Sequence, residues 1–180
     1  MPNRRARIFW FAGLSGSGKS TVARETSRRL EAAGFKTLIL DGDAVRGAEH
    51  RHLGFTAPDI RENLRLLAER CASARETRDA ILVAAISPLA DARAVVRARL
   101  GPGFHLVYLR ASIAALESRD PKGLYARARK GELPDLIGYG PAAVPFEEPA
   151  DADLLLDTTA TAEADTVAAM RAFVRKTVGR

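Results

Sequence analysis

The stretch Gly13-Leu14-Ser15-Gly16-Ser17-Gly18-Lys19-Ser20 decides the fold, because it fits G-x-x-x-x-G-K-[ST], the pattern of a phosphate-binding loop. An apolar, β-prone run at residues 7–12 precedes it and predicts a buried strand. Apolar residues at helical spacing follow over residues 21–33, and Gly34 then predicts the end of a helix. A strand, a glycine-rich loop and a helix in this order direct backbone N–H groups and a helix N-terminus at a phosphate.

Each residue type in this loop suits the binding of a nucleoside triphosphate. Glycines adopt backbone angles that a Cβ forbids and let the chain approach a phosphate closely. Lys19 can reach the β- and γ-phosphates, and the Ser20 hydroxyl can ligate Mg²⁺. A simple glycine-serine turn is the alternative, but the register and the context favour a site for ATP with Mg²⁺. The residues predicted to bind the nucleotide are Gly13, Ser15, Gly16, Ser17, Gly18, Lys19, Ser20 and Thr21.

Length and composition indicate one ordinary globular domain. The chain has 180 residues, 47% hydrophobic and 28% charged, and no apolar run long enough for a membrane span. Its net charge is +6, but the arginines are scattered without an aromatic-rich face, so we expect anionic small substrates and not nucleic acid. The basic N-terminus runs directly into the first strand, and we expect no signal peptide. A single cysteine, Cys71, suits a reducing cytoplasm and a buried position.

Strands that alternate with helices predict an α/β fold with a parallel five-stranded sheet, flanked by helices as in P-loop kinases. For one helix, Asp59 and Glu62 fit a capping box, with Asp59 as the N-cap. We expect residues 1–180 to form a single domain. The predicted strands are residues 7–12, 36–40, 80–86, 104–109 and 153–157, and the other predicted helices are residues 91–100, 113–118 and 162–177.

Residues 119–150 differ in character from the rest of the chain. Prolines and glycines interrupt this segment repeatedly, and five basic residues lie within its first twelve positions. A structureless connector of this length is uncommon in a compact domain. Beside a phosphate-binding loop, we interpret it as a mobile, basic lid.

Polar groups at the carboxyl ends of the strands are candidates for chemistry, since ligands bind at these ends in open α/β sheets. Asp41 and Asp43 follow the second predicted strand, where a carboxylate could accept a hydroxyl proton or hold a Mg²⁺-bound water. A polar turn or a helix cap is the alternative. The third strand ends at Ser87 instead of a metal-binding aspartate. We therefore favour Asp43 as the general base, and Asp41 or Asp43 as a metal contact beside Ser20, directly or through water.

Several further short motifs accompany this loop, in a fixed order between about residues 8 and 158. They are GLSGSGKST, DGD followed by V-R, LGF, D-x-x-E-N, ISP, RDPKGLY, P-F-E-E-P and LDT. With these motifs the chain resembles the adenylyl-sulfate (APS) kinases, which use Mg-ATP to phosphorylate the 3′-hydroxyl of adenylyl sulfate. The resemblance implies the same phosphotransfer chemistry. It also implies a homodimer as one form of assembly.

The resemblance assigns roles to residues at matching positions. Asp43 matches the proposed base, and Arg46 matches a contact to an anionic group of the substrate. Phe55 matches an aromatic residue that stacks on the base of the acceptor, and Asn63 matches a polar contact to the acceptor.

Other matching positions lie after the third strand and in the predicted lid. Ile86 and Ser87 match residues that line the acceptor pocket, and Ser87 also matches a serine considered as a catalytic phosphoryl carrier. Lys122 matches a lid lysine near the phosphates, and Arg119 matches a residue near the adenine of ATP. The lid positions predicted to contact the acceptor are Leu136 and Ile137.

Four departures from the family pattern fall in the predicted acceptor site. Ile60 replaces an arginine that holds the phosphosulfate, and the neighbouring Arg61 would point about 100° away on a helix. The family's lid word F-T-G-I-D is L-I-G-Y-G at residues 136–140, which removes an aromatic ring that closes over adenine. The other two departures are Ala44 and Ala85.

Three interpretations of these departures remain open. The first is a divergent APS kinase in which Tyr139 replaces the lost ring and Arg61, or a lid arginine, restores the lost charge. The second is a sister kinase that acts on another nucleotide conjugate, such as cytidine diphosphoramidate. The third is an ATP-binding regulator without catalysis, although the presence of Lys19, Ser20, Asp43 and Lys122 argues against it.

Overall fold

The computed structural model describes residues 5–179 and contains one parallel sheet in the strand order β2-β3-β1-β4-β5. Helices cover both faces of this sheet. The predicted α/β fold with five parallel strands is therefore confirmed. The strands are β1 Arg7–Ala12, β2 Thr37–Asp41, β3 Ala80–Ala84, β4 Phe104–Arg110 and β5 Leu154–Asp157. The helices are α1 Lys19–Glu31, α2 Gly42–Ala48, α3 Ala57–Ala74, α4 Ala90–Leu100, α5 Ile113–Arg119, α6 Leu124–Arg129 and α7 Glu163–Val178.

β1 is the central strand and is buried on both faces. It pairs with β3 on one side and β4 on the other. Side chains alternate across a strand, so Ile8 and Trp10 pack toward α3 and α4, whereas Phe9 and Phe11 pack toward α1 and α7. This double burial explains why β1 is a continuous apolar run. It also fixes the phosphate-binding loop at the middle of the carboxyl edge of the sheet.

The predicted N-cap of α3 is wrong by three residues. The helix begins at Ala57, and Thr56 is its N-cap, since the Thr56 hydroxyl oxygen accepts a bond from the Asp59 backbone N–H. The same hydroxyl donates to the Asp59 carboxylate at 2.6 Å. Asp59 thus closes the capping box from inside the helix, and Glu62 pairs with Arg65 instead.

β3 is shorter than predicted, because the chain leaves the sheet after Ala84. The next residues form a loop that returns toward the phosphate-binding loop, where the Gly13 N–H donates to the Ile86 carbonyl at 3.1 Å. Ser87 then adopts a left-handed φ of 52°. This turn places Ile86 and Ser87 at the carboxyl edge of the sheet.

The predicted lid contains a short helix, α6, which the sequence patterns did not indicate. The Asp120 carboxylate accepts bonds from the backbone N–H groups of Tyr125 and Ala126 and so starts the helix. Tyr125 is buried, and its hydroxyl donates to the Ser15 carbonyl at 2.8 Å. The segment therefore rests on the phosphate-binding loop. Its mobility stays a prediction.

None of the helices within residues 5–179 has the length and apolar character needed to cross a membrane. Cys71 lies in the core on α3, as predicted, and burial raises the pKa of its thiol to about 12. The thiol is therefore a packing group, since reactivity requires the thiolate.

Candidate active site

The phosphate-binding loop has the backbone geometry that the sequence predicts. Gly16 and Gly18 have left-handed φ angles of 79° and 94°, and Gly18 is the N-cap of α1. At Gly13 a Cβ would lie 2.5 Å from the Leu109 carbonyl oxygen, so a larger residue would displace the neighbouring strand. The loop therefore presents its backbone to a ligand at the start of α1, where an anion is favoured.

Lys19 is a buried cation without a carboxylate in direct contact among the described residues. Its Nζ donates to the Leu14 carbonyl at 2.8 Å, and its side chain lies 8% exposed. Burial lowers the pKa of Lys19 to about 8, and the negative charge of Asp43 opposes this shift. A buried ammonium is costly unless it is paired. The surroundings of Lys19 therefore fit a polyphosphate, which would supply the missing negative charge.

A cavity of about 520 Å³ lies over this loop and has oxygen ligands suited to Mg²⁺. Ser20, Asp41 and Asp43 line it together with Lys19. Asp41 is also the N-cap of α2, and its Oδ1 accepts from the Asp43 N–H at 3.0 Å. Both roles considered for Asp41, helix cap and metal contact, are thus compatible with its position. The cap fixes where Asp43 stands.

Asp43 stands at the junction of three cavities. It lines the phosphate cavity, a small cavity of about 30 Å³ between α3 and the β3 loop, and a larger apolar cavity of about 520 Å³ under the lid. Lys122 of the lid donates to Asp43 Oδ2 at 2.6 Å, and both side chains are exposed. The structure therefore brings the predicted base and the predicted lid lysine together beside the phosphate-binding loop.

Arg46 and Phe55 form one wall of the lid-side cavities. The guanidinium carbon of Arg46 lies 4.8 Å from the centre of the Phe55 ring, and Arg46 donates to the Leu53 and Gly54 carbonyls. Phe55 is 48% exposed, so one face of its ring is open. Leu136 and Ile137 line the larger cavity, and Ile137 also reaches the small one. An aromatic face opposite aliphatic lid residues can hold a planar base.

Asn63 has a partner that sequence reasoning missed. Its Oδ1 lies 2.9 Å from Nδ1 of His50, both side chains are buried, and Asn63 lines the small cavity. If the ring donates from Nδ1, the Asn63 oxygen is satisfied and its NH₂ group remains for an acceptor atom in the cavity. No local pattern indicates this pair, because His50 lies in the loop between α2 and α3 and meets Asn63 only in the folded chain.

Replacing His50 with alanine should weaken binding of the phosphoryl acceptor by about twofold to tenfold, because the Asn63 amide loses one hydrogen bond and is free to rotate. Steady-state kinetics should show a higher KM for the acceptor and an unchanged KM for ATP. His52→Ala is the matched control, since His52 is exposed two residues away. Equal kinetics for the two variants would contradict this role of His50.

The predicted catalytic role of Ser87 as a phosphoryl carrier is not supported. Ser87 borders the small cavity but is only 1% exposed, and its Oγ accepts a bond from the Trp10 indole at 2.8 Å. A hydroxyl enclosed in this way cannot approach a γ-phosphate without breaking the local structure. Ser87 therefore belongs to the wall of the acceptor site.

The compensations considered for Ile60 and for the lost lid ring are absent from the described structure. Ile60 is buried and lines the small cavity, whereas Arg61 makes two bonds to Asp91 of α4, at 3.0 and 2.8 Å, on the outer surface. Tyr139 packs edge-on against Tyr125 and donates to Glu117, away from both acceptor cavities. The lid arginines are held elsewhere: Arg127 by Glu132, Arg129 by Glu117, and Arg119 by the Thr158 and Thr159 carbonyls.

Arg119 links the end of α5 to the loop after β5. This position is compatible with a contact to the adenine of ATP, which stays a prediction. The other predicted site residues on the loop, on α2, on α3, after β3 and in the lid line the three cavities, except Gly13 and Ser17 of the loop.

The fold and the site together define a P-loop kinase, a phosphotransferase with an alcohol group as acceptor. The model of the adenylylsulphate kinase family matches residues 5–157. The chain belongs to this family. The prediction of an enzyme is thus confirmed, and the alternative of a non-catalytic regulator is not supported.

The similarity to known proteins extends over most of this chain. The adenylyl-sulfate kinase of Bacillus pumilus is 41% identical over 157 residues, which are 87% of this chain and 78% of that protein. The adenylyl-sulfate kinase of Burkholderia ambifaria is 37% identical over 169 residues, or 93% of this chain and 92% of that protein. The solved Mycobacterium tuberculosis APS kinase in complex with AMPPNP and APS is 35% identical, has a TM-score of 0.84, and aligns over 98% of this chain and 99% of that one.

Proposed function

We propose that this protein is an ATP-dependent kinase that transfers the γ-phosphate to the 3′-hydroxyl of adenylyl sulfate, forming 3′-phosphoadenylyl sulfate. The position of Asp43 carries the proposal, because this carboxylate lines both the phosphate cavity and the two acceptor cavities. The relatives named adenylyl-sulfate kinase, and the neighbour in complex with AMPPNP and APS, support this pair of substrates.

The chemistry follows from the position of each side chain. The loop residues from Gly13 to Thr21, which include Lys19, bind the triphosphate of ATP. Arg119 borders the adenine of ATP. The 3′-hydroxyl oxygen attacks the γ-phosphorus, and ADP leaves. Asp43 accepts the proton that this hydroxyl loses. Lys122 holds the Asp43 carboxylate at the junction of the cavities. Mg²⁺, held by Ser20 with Asp41 or Asp43, would neutralise charge on the phosphates when bound.

The acceptor residues complete the proposed site. Phe55 offers a ring for stacking, and Arg46 beside it offers a cation. Asn63 offers a polar contact, while Ile86 and Ser87 shape the wall between the two halves of the site. Leu136, Ile137 and the rest of the lid exclude water from the reaction.

The proposal also covers the domain organisation of the enzyme and its cellular compartment. We infer that residues 1–180 act as one catalytic domain, since the described core lies on the two faces of one sheet. We place the enzyme in the cytoplasm, where Mg-ATP is available and Cys71 stays reduced. A nucleic acid is not among its proposed partners, and formation of a homodimer stays a prediction.

A second candidate function is the phosphorylation of another nucleotide conjugate, one with a less anionic end group, of which cytidine diphosphoramidate is an example. The buried Ile60 in the small cavity favours it. A lost charge-assisted hydrogen bond costs about 1.5–3 kcal/mol, and a lost stacking ring about 1–3 kcal/mol. These losses would weaken binding of adenylyl sulfate by roughly two to four powers of ten.

Initial rates on a panel of acceptors separate the two candidates. Adenylyl sulfate, adenosine diphosphate conjugates and cytidine diphosphate conjugates are offered at equal concentration with Mg-ATP, and the 3′-phosphorylated product is measured. The proposed function requires turnover of adenylyl sulfate at the highest kcat/KM. A higher kcat/KM for a cytidine conjugate would replace it with the second candidate.

Replacing Ile60 with arginine should lower the KM for adenylyl sulfate by about tenfold or more, because it adds a cation to the acceptor cavity. Ile60→Met is the control, since methionine has similar length without charge. A KM that stays equal in the two variants would show that the anionic end group does not lie near residue 60.

A further inference from the structure

Arg93 on α4 is a buried charge that the proposed reaction does not use. It is 5% exposed and forms no ion pair with any residue in the range 5–179. Its guanidinium donates instead to two backbone carbonyls, Nη1 to Ser87 and Nη2 to Glu147, both at 2.7 Å. Burial lowers the pKa of Arg93, with Asp151 opposing the shift. A buried cation bound only to main-chain oxygens indicates a positional role.

The first carbonyl belongs to the wall of the acceptor site, defined here as Ile86, Ser87 and Pro88, which line the small cavity. Ser87 is the only non-glycine residue with a left-handed φ in the described part of the chain. Such a conformation persists when its surroundings impose it. Two contacts do so, the Trp10 indole on the Ser87 hydroxyl and Arg93 on the Ser87 carbonyl.

The second carbonyl belongs to the base of the lid, defined here as residues 145–149. Glu147 is joined to the acceptor wall once more, since its N–H donates to the Pro88 carbonyl at 2.9 Å. Its carboxylate also accepts from the N–H of Ala90, the first residue of α4. Phe146 beside it lies against Gly138, where a Cβ would approach the Phe146 Cβ to 3.0 Å. Gly138 follows Ile137 of the lid, so the base of the lid is packed beside the residue that lines the small cavity.

We propose that Arg93 is a positioning residue that couples the lid to the acceptor wall. Its planar guanidinium holds the Ser87 and Glu147 carbonyls at a fixed separation, so that closure of the lid over the acceptor is transmitted to Ser87 and Ile86. Planar, two-pronged donation is specific to arginine, and a lysine can serve only one of the two carbonyls well. The larger effect falls on the acceptor half of the site, because both hydrogen bonds of Arg93 are made there. Arg93 reaches the phosphate-binding loop only indirectly, through the Ile86 carbonyl that accepts from the Gly13 N–H.

Kinetics of Arg93→Met and Arg93→Lys test this coupling, which rests on the proposed function. The KM for adenylyl sulfate should rise by about tenfold in Arg93→Met and by less in Arg93→Lys, while the KM for ATP stays within about twofold. Arg99→Met is the control, since Arg99 lies on the same helix and pairs with Glu69 at the surface. It should behave as the unsubstituted protein.

Trp10 gives a second readout that a purely structural role of Arg93 would not change. It is the only tryptophan, and its indole N–H binds Ser87. Adding adenylyl sulfate with AMPPNP should change its emission in the unsubstituted protein and in Arg99→Met, but not in Arg93→Met. If Arg93→Met does not fold, the same comparison is made with Arg93→Lys, where a reduced change is expected.

The outcomes separate the two proposals. No turnover of adenylyl sulfate by the unsubstituted protein would refute the proposed function, and with it the assignment of Arg93 to that acceptor. Normal turnover, combined with an unchanged KM and an unchanged Trp10 response in the foldable Arg93 variants, would refute the coupling alone. Equal rises in the KM for adenylyl sulfate and the KM for ATP would also refute the coupling.

Discussion

Replacing Asp43 with asparagine is expected to lower kcat for adenylyl sulfate by about three powers of ten, because the transferred hydroxyl proton loses its acceptor. Asparagine has the same size but no basic oxygen. Asp43 is the carboxylate that stands between the donor and acceptor cavities, and Lys122 contacts it at 2.6 Å. The substitution should leave the Kd for ATP nearly unchanged, since Lys19 and the loop are untouched.

Single-turnover rates and calorimetric titration with AMPPNP measure the two quantities separately. Asp165→Asn is the matched control, because Asp165 is an exposed carboxylate on α7, away from the three cavities. Retention of more than about a tenth of the kcat by Asp43→Asn would remove Asp43 as the base. A large loss of AMPPNP binding would instead assign it chiefly to the metal.

Most of the fold follows from patterns that are local in the chain. β1 and β3 are continuous apolar runs because they are central and buried on both faces. The run of β1 ends where the chain leaves the sheet, whereas the run of β3 continues through Ala85 and Ile86 beyond the end of the strand. The phosphate-binding loop is equally local, since its glycines, Lys19 and Ser20 need only the preceding strand and the following helix. These parts could be predicted because each one depends on neighbours in sequence.

The errors fall where distant contacts decide the structure. α6 was missed because prolines and glycines flank it, and its burial depends on Tyr125 reaching Ser15 across the chain. The enclosure of Ser87, which argues against its role as a phosphoryl carrier, depends on Trp10, 77 residues earlier. No local pattern reports such a partner. The start of α3 differed for another reason, since Thr56 and Asp59 both suit a cap and only the backbone distinguishes them.

The acceptor site shows a further limit of reasoning from sequence. The departure at Ile60 was visible, but its consequence depended on where nearby cations point. Arg61 is bound to Asp91, and the lid arginines are bound to Glu117, Glu132 or backbone carbonyls, so the lost charge is not restored from these positions. His50 and Arg93 carried no recognisable motif, because their hydrogen-bond partners Asn63 and Glu147 lie far from them in the sequence.

Replacing Lys19 with methionine is expected to lower kcat/KM for ATP by about two to four powers of ten while leaving the fold as stable as before, or more stable. Lys19 supplies charge-assisted bonds to the phosphates, worth about 1.5–3 kcal/mol each. Without a ligand it is a buried ammonium bound to the Leu14 carbonyl and the Ser17 hydroxyl. Methionine fills a similar volume and removes the cost of burying that charge.

The opposite signs of these two effects make the prediction specific. Thermal unfolding without nucleotide should give a Tm equal to or above that of the unsubstituted protein, whereas stabilisation by AMPPNP should be lost. Lys130→Met, an exposed lysine just after α6, should change neither quantity. A fall in Tm with AMPPNP binding intact would mean that Lys19 is a structural residue. An unchanged or higher Tm together with loss of AMPPNP binding would mean that the buried charge of Lys19 is kept for the phosphates that it binds.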